Sequence, residues 1–230
     1  MADKSKFWYL KNFSIFDGMD DHLVKRVSSL TTMKSVESRS PIYFPDESSR
    51  AIFFLKQGHV KISRMNPEGK EVILDVIGPG ELFGELALSE EESPRSEIAE
   101  TLDEAVICAI KRDDFESLLR MNPDLNLQIT KRVGLRLRKI EERVSDLVFK
   151  DVKKRIATFL VRYAEEFGKV KHNIVSIRTN LTHQEIAFLT GSSRQTVTST
   201  LDEFRKQGLL DFSRVGFVIK DLEALQQLSR

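Results

Sequence analysis

Residues 182–201 read THQEIAFLTGSSRQTVTSTL, and this stretch decides the architecture of the carboxy-terminal half. Thr182 followed three residues later by Glu185 is a capping box, in which hydroxyl and carboxylate each satisfy a backbone N–H that the first helical turn leaves open. A short helix opens there, with Ile186, Ala187 and Leu189 on its core face. Gly191 supplies the left-handed backbone of a tight turn, Ser193 caps a second helix, and Val197 with Leu201 forms that helix's buried face. Two short helices joined by a glycine turn have the spacing of a helix-turn-helix. Exposed groups are expected at positions 194, 195, 198 and 199. There Arg194 and Gln195, in the first turn, reach base edges in a major groove, arginine pairing with guanine and glutamine with adenine. The alternative for Arg194 is a solvated helix residue, since the same geometry occurs in proteins that bind no DNA. Beyond Gly208, LLDFS and VGFVI form a hairpin pattern that completes a wing.

Upstream, Asp151 is an N-cap for a helix with Val152, Ile156, Phe159, Leu160 and Tyr163 on its apolar face. That helix ends near Gly168, and a strand-like IVSIRT follows. From Asp124 to about Phe149 runs a longer helix of about 26 residues, near 39 Å, interrupted by no proline and by no glycine except Gly134. Along it Val133, Leu137, Ile140, Val144 and Leu147 are spaced 4, 3, 4, 3, the rhythm of a coiled-coil seam, with Arg136, Arg138, Lys139, Glu141 and Glu142 off that seam. A two-helix dimer interface follows, the alternative being a stripe that packs on the chain's own β-domain.

From Pro41 to Arg112 short β-branched and aromatic runs alternate with turn residues, which predicts an antiparallel β-domain. NPEG at 66–69 suits a type I turn joining two strands, and Asp46 to Arg50 makes another turn. GPGELFGELAL at 78–88, followed by SPRS at 93–96, carries chemistry. Gly84 opens a short helical turn whose backbone N–H groups suit an anion, Arg95 offers a bidentate cation for a phosphodiester, and Glu85 accepts from a ribose hydroxyl lying between them. The alternative is a Glu85–Arg95 ion pair in a β-roll that has lost its ligand.

The net charge of +1 hides a polar arrangement: residues 1–130 hold 16 Lys/Arg against 23 Asp/Glu, and residues 131–230 hold 20 against 12. An excess of cations in the carboxy-terminal part suits phosphate neutralisation, although charge of this size is also common in proteins that never meet DNA. Cys108, in the apolar run Ala105 to Ile110, is the only cysteine, so a buried thiol is expected and a disulfide framework within the chain is excluded. No stretch is long and apolar enough for a membrane span, and the amino terminus lacks a secretory h-region, so a cytoplasmic location with no membrane partner is expected. No HExxH or GxSxG spacing is present, which argues against an enzyme, and no metal site is expected.

These motifs together resemble, over nearly the whole sequence, the cyclic-AMP receptor protein and fumarate-nitrate regulator (CRP/FNR) superfamily of transcription regulators. The resemblance implies an α+β chain: an amino-terminal antiparallel β-roll of the cyclic-nucleotide-binding jelly-roll type at 1–122, a dimerisation helix and hinge at 123–150, and a winged helix-turn-helix at 151–230. It implies a homodimer on a two-fold-symmetric operator of double-stranded DNA, with RNA polymerase as a further partner. Phosphate contacts would come from Thr182, His183, Gln184, Ser193 and Thr196, and base contacts from Arg194, Gln195 and Ser199. Gln195 and Ser199 depart from the glutamate and arginine of the cyclic-AMP receptor, so its operator does not carry over. The segment Gly84, Glu85, Leu86, Arg95 and Ser96 resembles the family's phosphate-binding cassette and implies a cyclic nucleotide effector, cAMP or cGMP. Ile140 and Glu141 stand where the cyclic-AMP receptor places two hydroxyl residues against adenine; Glu141 is suited to accept from an exocyclic amine, which keeps guanine open. One cysteine cannot ligate an iron-sulfur cluster, and His22, His59, His172 and His183 are too scattered to favour haem. Two further readings stay open: a regulator with a vestigial or non-nucleotide pocket, and a cyclic-nucleotide-binding signalling module without DNA binding.

Overall fold

The computed structural model describes residues 6–11, 13–45, 51–84, 97–172, 174–213 and 215–230. The chain forms two compact units that divide inside one helix: residues 1–64 with 75–138, and residues 65–74 with 139–230.

The first unit begins with helices α1 (Lys6–Lys11) and α2 (Asp21–Leu30), the latter capped by the Asp20 carboxylate accepting from the Leu23 N–H at 2.7 Å. The strands of the amino-terminal half are β1 (Thr32–Val36), β2 (Pro41–Tyr43), β3 (Ala51–Gln57), β4 (Val60–Met65), β5 (Glu71–Ile77, its first residues within the 65–74 stretch), β6 (Leu82–Phe83), β7 (Ile98–Thr101) and β8 (Ala105–Lys111). They form two four-stranded sheets, ordered β1-β8-β3-β6 and β2-β7-β4-β5. In the first, β3 and β8 are buried on both faces, which explains why AIFFL and AVICAI read as continuous apolar runs rather than alternating ones. Ile52, Phe54, Cys108 and Ile110 meet a helical layer supplied by Leu10, Phe13, Phe16, Val24, Val27, Phe115 and Leu118. Phe53, Leu55, Ala105 and Ile107, on the opposite face, join Tyr43, Ile62, Ile77 and Phe83 in the interior of the roll. Each fully buried Phe or Leu contributes about 1.5–3 kcal/mol, so this double-sided burial is the main source of the unit's cohesion.

Helix α3 (Arg112–Met121) follows β8, and α4 (Pro123–Phe149) is the expected long helix. Its first turns bury Leu125 and Ile129 in the helical layer of the first unit. The expected turn at 66–69 is closed by Gly69 N–H donating to the Asn66 carbonyl at 2.9 Å. The β-domain starts earlier than the sequence suggests, with β1 on the edge beside β8, and the two amino-terminal helices were not foreseen.

In the second unit, Asp151 caps α5 (Val152–Phe167), accepting from the Lys154 N–H at 2.9 Å. Strands β9 (Lys169–Lys171) and β10 (Ile174–Arg178), helices α6 (His183–Thr190) and α7 (Arg194–Lys206), strands β11 (Leu210–Ser213) and β12 (Gly216–Ile219), and helix α8 (Leu222–Leu228) complete it. The sheet order is β11-β12-β10-β9, with the β11–β12 hairpin as the wing.

Candidate nucleic-acid interface and effector site

The two helices of the reading head are built as their caps require. The Thr182 hydroxyl accepts from the Glu185 N–H at 3.2 Å and the Glu185 carboxylate accepts from the Thr182 N–H at 2.7 Å, the full capping box. Gly191 ends α6 at φ +59°, ψ +44°, in the left-handed region. The Ser193 hydroxyl accepts from the Thr196 N–H at 3.0 Å and opens α7. Ile186, Ala187, Val197, Leu201 and Phe204 are buried between these helices and the rest of the unit.

Arg194, Gln195 and Ser199 are exposed on α7; the caps Thr182 and Ser193 and Gln184 of α6 are exposed too, while His183 of α6 and Thr196 of α7 are half-buried. Thr198 differs from expectation: it is half-buried, because its hydroxyl lies 2.8 Å from His183 Nδ1 and donates to the Arg194 carbonyl at 2.9 Å. The His183 ring also packs edge-on against Phe212 of the wing, with centroids 5.5 Å apart. Burial, and next the Arg194 guanidinium, push the imidazole below its ordinary pKa, with Asp202 opposing.

Arg155 of α5 was not singled out from the sequence, yet it holds the turn. Its Nε donates to the Thr190 carbonyl at 2.8 Å, Nη2 to the Gly191 carbonyl at 3.1 Å and Nη1 to the Lys150 carbonyl at 2.7 Å. One planar guanidinium thus satisfies carbonyls left open at the ends of two helices. The last turns of α4 are tied to α5 by ion pairs, Lys139–Glu166 at 2.6 Å, Arg162–Glu142 at 3.4 Å and Arg162–Asp146 at 2.7 Å, and Asp146 also pairs with Lys150, four residues on, at 3.0 Å. Arg143 donates from Nη1 to the Leu74 carbonyl of β5, and at 3.4 Å to that of Ile73.

The five seam residues Val133, Leu137, Ile140, Val144 and Leu147 are each 47–55% exposed in the single chain, so this part of the helix presents an uncovered apolar stripe.

Of the expected effector residues, Gly84 is buried at φ +81° immediately after β6, and Glu141 is exposed. Glu85, Leu86, Arg95 and Ser96 lie outside the described residues, as does the turn expected at 46–50. In the first unit two arginines of α4 reach the stretch that precedes Gly84: Arg136 pairs with Asp75 at 3.4 Å, and Arg132 pairs with Glu81 at 3.7 Å and donates to the Gly80 carbonyl at 3.3 Å. Their i, i+4 spacing was the readable signal for a common face. Among the described residues no cluster of three His, Cys, Asp or Glu side chains would hold a metal ion, and no helix is long and apolar enough to cross a membrane.

Comparison with known proteins agrees with this division of labour. Residues 33–122 match the cyclic nucleotide-binding domain family and residues 154–228 the Crp-like helix-turn-helix domain family. The chain is 28% identical over 221 residues to the CRP-like cAMP-activated global transcriptional regulator of Mycobacterium tuberculosis, covering 96% of this chain and 98% of that one. It is 30% identical over 173 residues to the cAMP-activated global transcriptional regulator CRP of Salmonella typhimurium, covering 75% of this chain and 82% of the relative. FixK2 from Bradyrhizobium japonicum shares the fold with a TM-score of 0.74 at 22% identity, over 87% of this chain and 98% of that one. The chain belongs to the CRP/FNR superfamily of transcription regulators: it is a DNA-binding regulator that carries an effector-type β-roll.

Proposed function

We propose that the chain works as a cytoplasmic, non-catalytic homodimer in which a cyclic nucleotide bound by the β-roll sets the affinity of two recognition helices for a two-fold-symmetric operator. The observation that carries this is the course of α4. The helix anchors Leu125 and Ile129 in the effector unit, exposes five seam side chains, and packs Leu147 against the turn of the helix-turn-helix. A ligand that favours one packing of the seam therefore shifts the population of DNA-competent dimers.

Arg194, Gln195 and Ser199 read bases, and Thr182, His183, Gln184, Ser193 and Thr196 hold phosphates. Gly84, Glu85, Leu86, Arg95 and Ser96 receive the phosphodiester and ribose, and Glu141 contributes at the base. The effector region spans 1–122, the dimerisation helix and hinge 123–150 and the DNA-reading region 151–230, with RNA polymerase as the downstream partner. The relatives named as cAMP-activated make cAMP the first ligand to test. Ile140 and Glu141 make cGMP the second, because a carboxylate can accept from both the ring N–H and the adjacent amine that guanine, unlike adenine, presents side by side.

Calorimetric titration of cAMP and of cGMP into wild type and Arg95→Ala tests the reading. Saturable binding that is lost in the variant is expected. Absence of binding to both nucleotides would assign the pocket to another effector and leave the DNA-reading half standing.

A further inference from the structure

We infer that His183 makes DNA binding by this chain proton-linked, a duplex being held through the protonated imidazole and released as the ring loses its proton. The inference rests on the DNA-reading assignment above and concerns the chemistry of one of its phosphate-facing positions.

The argument begins with a proton count. The Arg194 carbonyl can only accept, so the Thr198 hydroxyl spends its single proton there, at 2.9 Å. The same oxygen lies 2.8 Å from His183 Nδ1 and must accept in that contact, which makes Nδ1 the donor. A neutral imidazole carries one proton, so with Nδ1 protonated Nε2 is a bare lone pair. No other described residue bonds the His183 ring nitrogens. Phosphate oxygens are also acceptors, and a lone pair facing them gains nothing and costs the desolvation of both. Protonation supplies an N–H at Nε2 without disturbing the bond to Thr198, and that N–H makes a charge-assisted bond to phosphate.

The surroundings favour the neutral form of the free ring. Burial, and next Arg194 of α7, push its pKa down, and Asp202 of α7 opposes them. Asp202 is itself paired with Arg205 at 2.8 Å, and Arg205 stacks over Phe212, the wing residue that packs on the imidazole. Glu185, on the same helix, is turned to the Thr182 N–H and hydroxyl at 2.7 and 2.9 Å. A polyanion brought to Nε2 adds the one strong stabiliser of the charged form, so binding takes up a proton wherever the free ring is neutral and the bound ring is not.

The test uses full-length protein and a 40-base-pair duplex, about four helical turns, recovered by that protein from a random-sequence pool. Affinity is measured at fixed salt from about pH 5.5 to 8.5, the range that brackets histidine titration. Wild-type affinity is expected to fall with rising pH, approaching about tenfold per pH unit for each recognition helix engaged. Calorimetry in buffers of different ionisation heat is expected to show proton uptake. His183→Gln keeps a donor at every pH and loses this slope. Thr198→Val removes the acceptor that fixes the tautomer, so the neutral ring can present Nε2–H and the slope flattens. A duplex bound without proton uptake, or a slope unchanged in His183→Gln or Thr198→Val, would overturn the inference alone. Failure to recover any duplex across the pH range would overturn the DNA-reading assignment and the inference with it.

Discussion

Leu147 of the long helix packs directly on Gly191 of the helix-turn-helix: a β-carbon at Gly191 would stand 2.6 Å from the Leu147 Cδ2. A seam residue and the turn that sets the recognition helix therefore share one contact inside the second unit. Gly191 is constrained twice, by φ +59° and by this approach. The left-handed backbone costs a residue with a side chain about 1–2 kcal/mol, and the methyl must also displace Leu147. Gly191→Ala is expected to lower stability by about 1–3 kcal/mol in denaturant unfolding. Combining it with Leu147→Ala relieves the steric part only, so the double variant should lose less than the sum of the singles.

Arg155 gives a second, independent handle on the same turn. Its guanidinium serves the carbonyls of Lys150, Thr190 and Gly191 together. Charged hydrogen bonds to carbonyls contribute about 1.5–3 kcal/mol, and Arg155→Ala leaves part-buried acceptors open. A loss of about 2–4 kcal/mol is expected from Arg155→Ala. Arg155→Lys should recover little, because an ammonium lacks the planar fork by which one guanidinium reaches three carbonyls. Full recovery by lysine would show that charge alone, not the fork, holds the turn.

Much of this was legible in the sequence because local chemistry decided it. The caps at Asp151, Thr182 and Ser193, the turn at Gly191 and the wing all rest on residues within a few positions of one another. Helices α1 and α2 were not legible. Their apolar residues Leu10, Phe13, Phe16, Val24 and Val27 acquire a partner only when β3 and β8 are paired across more than fifty residues. Arg155 was hidden for the same reason: its acceptors Thr190 and Gly191 are remote in sequence, and a basic residue in an amphipathic helix reads as solvated. Thr198 was misplaced because α7 periodicity puts it outward, whereas His183 from the preceding helix covers it.

The exposed stripe Val133, Leu137, Ile140, Val144 and Leu147 predicts that the seam can be disrupted without harming the single chain. Exposed positions away from caps and cores usually tolerate substitution within about 0.5 kcal/mol. Leu137→Lys with Val144→Lys places like charges at the middle of the proposed two-helix interface and should yield a folded monomer in analytical ultracentrifugation, with unchanged helical content by circular dichroism. Operator affinity should fall with it, since two linked reading heads gain from effective concentration that a single one lacks. A variant that stays dimeric at micromolar concentration would move the interface off this seam.

Cys108 reports on the other unit. Its side chain is 0% exposed between β3 and the helical layer, and burial pushes the thiol pKa up, with Lys6 and Lys56 opposing. The thiolate is the nucleophile, so near neutral pH the group is both protonated and inaccessible. Iodoacetamide is expected to leave the native chain unlabelled and to add one equivalent per chain in denaturant, because the sequence holds a single cysteine. Under native conditions any slow labelling measures opening of the core formed by α1, α2, α3 and the first sheet. Phe54→Ala deletes an aromatic that packs beside Cys108 in this core and should cost about 3–5 kcal/mol. Labelling should then accelerate in step with the lost stability, since the open fraction sets the rate when reclosing is fast. Rapid stoichiometric labelling of the wild type would mean that the helical layer does not cover this sheet in solution.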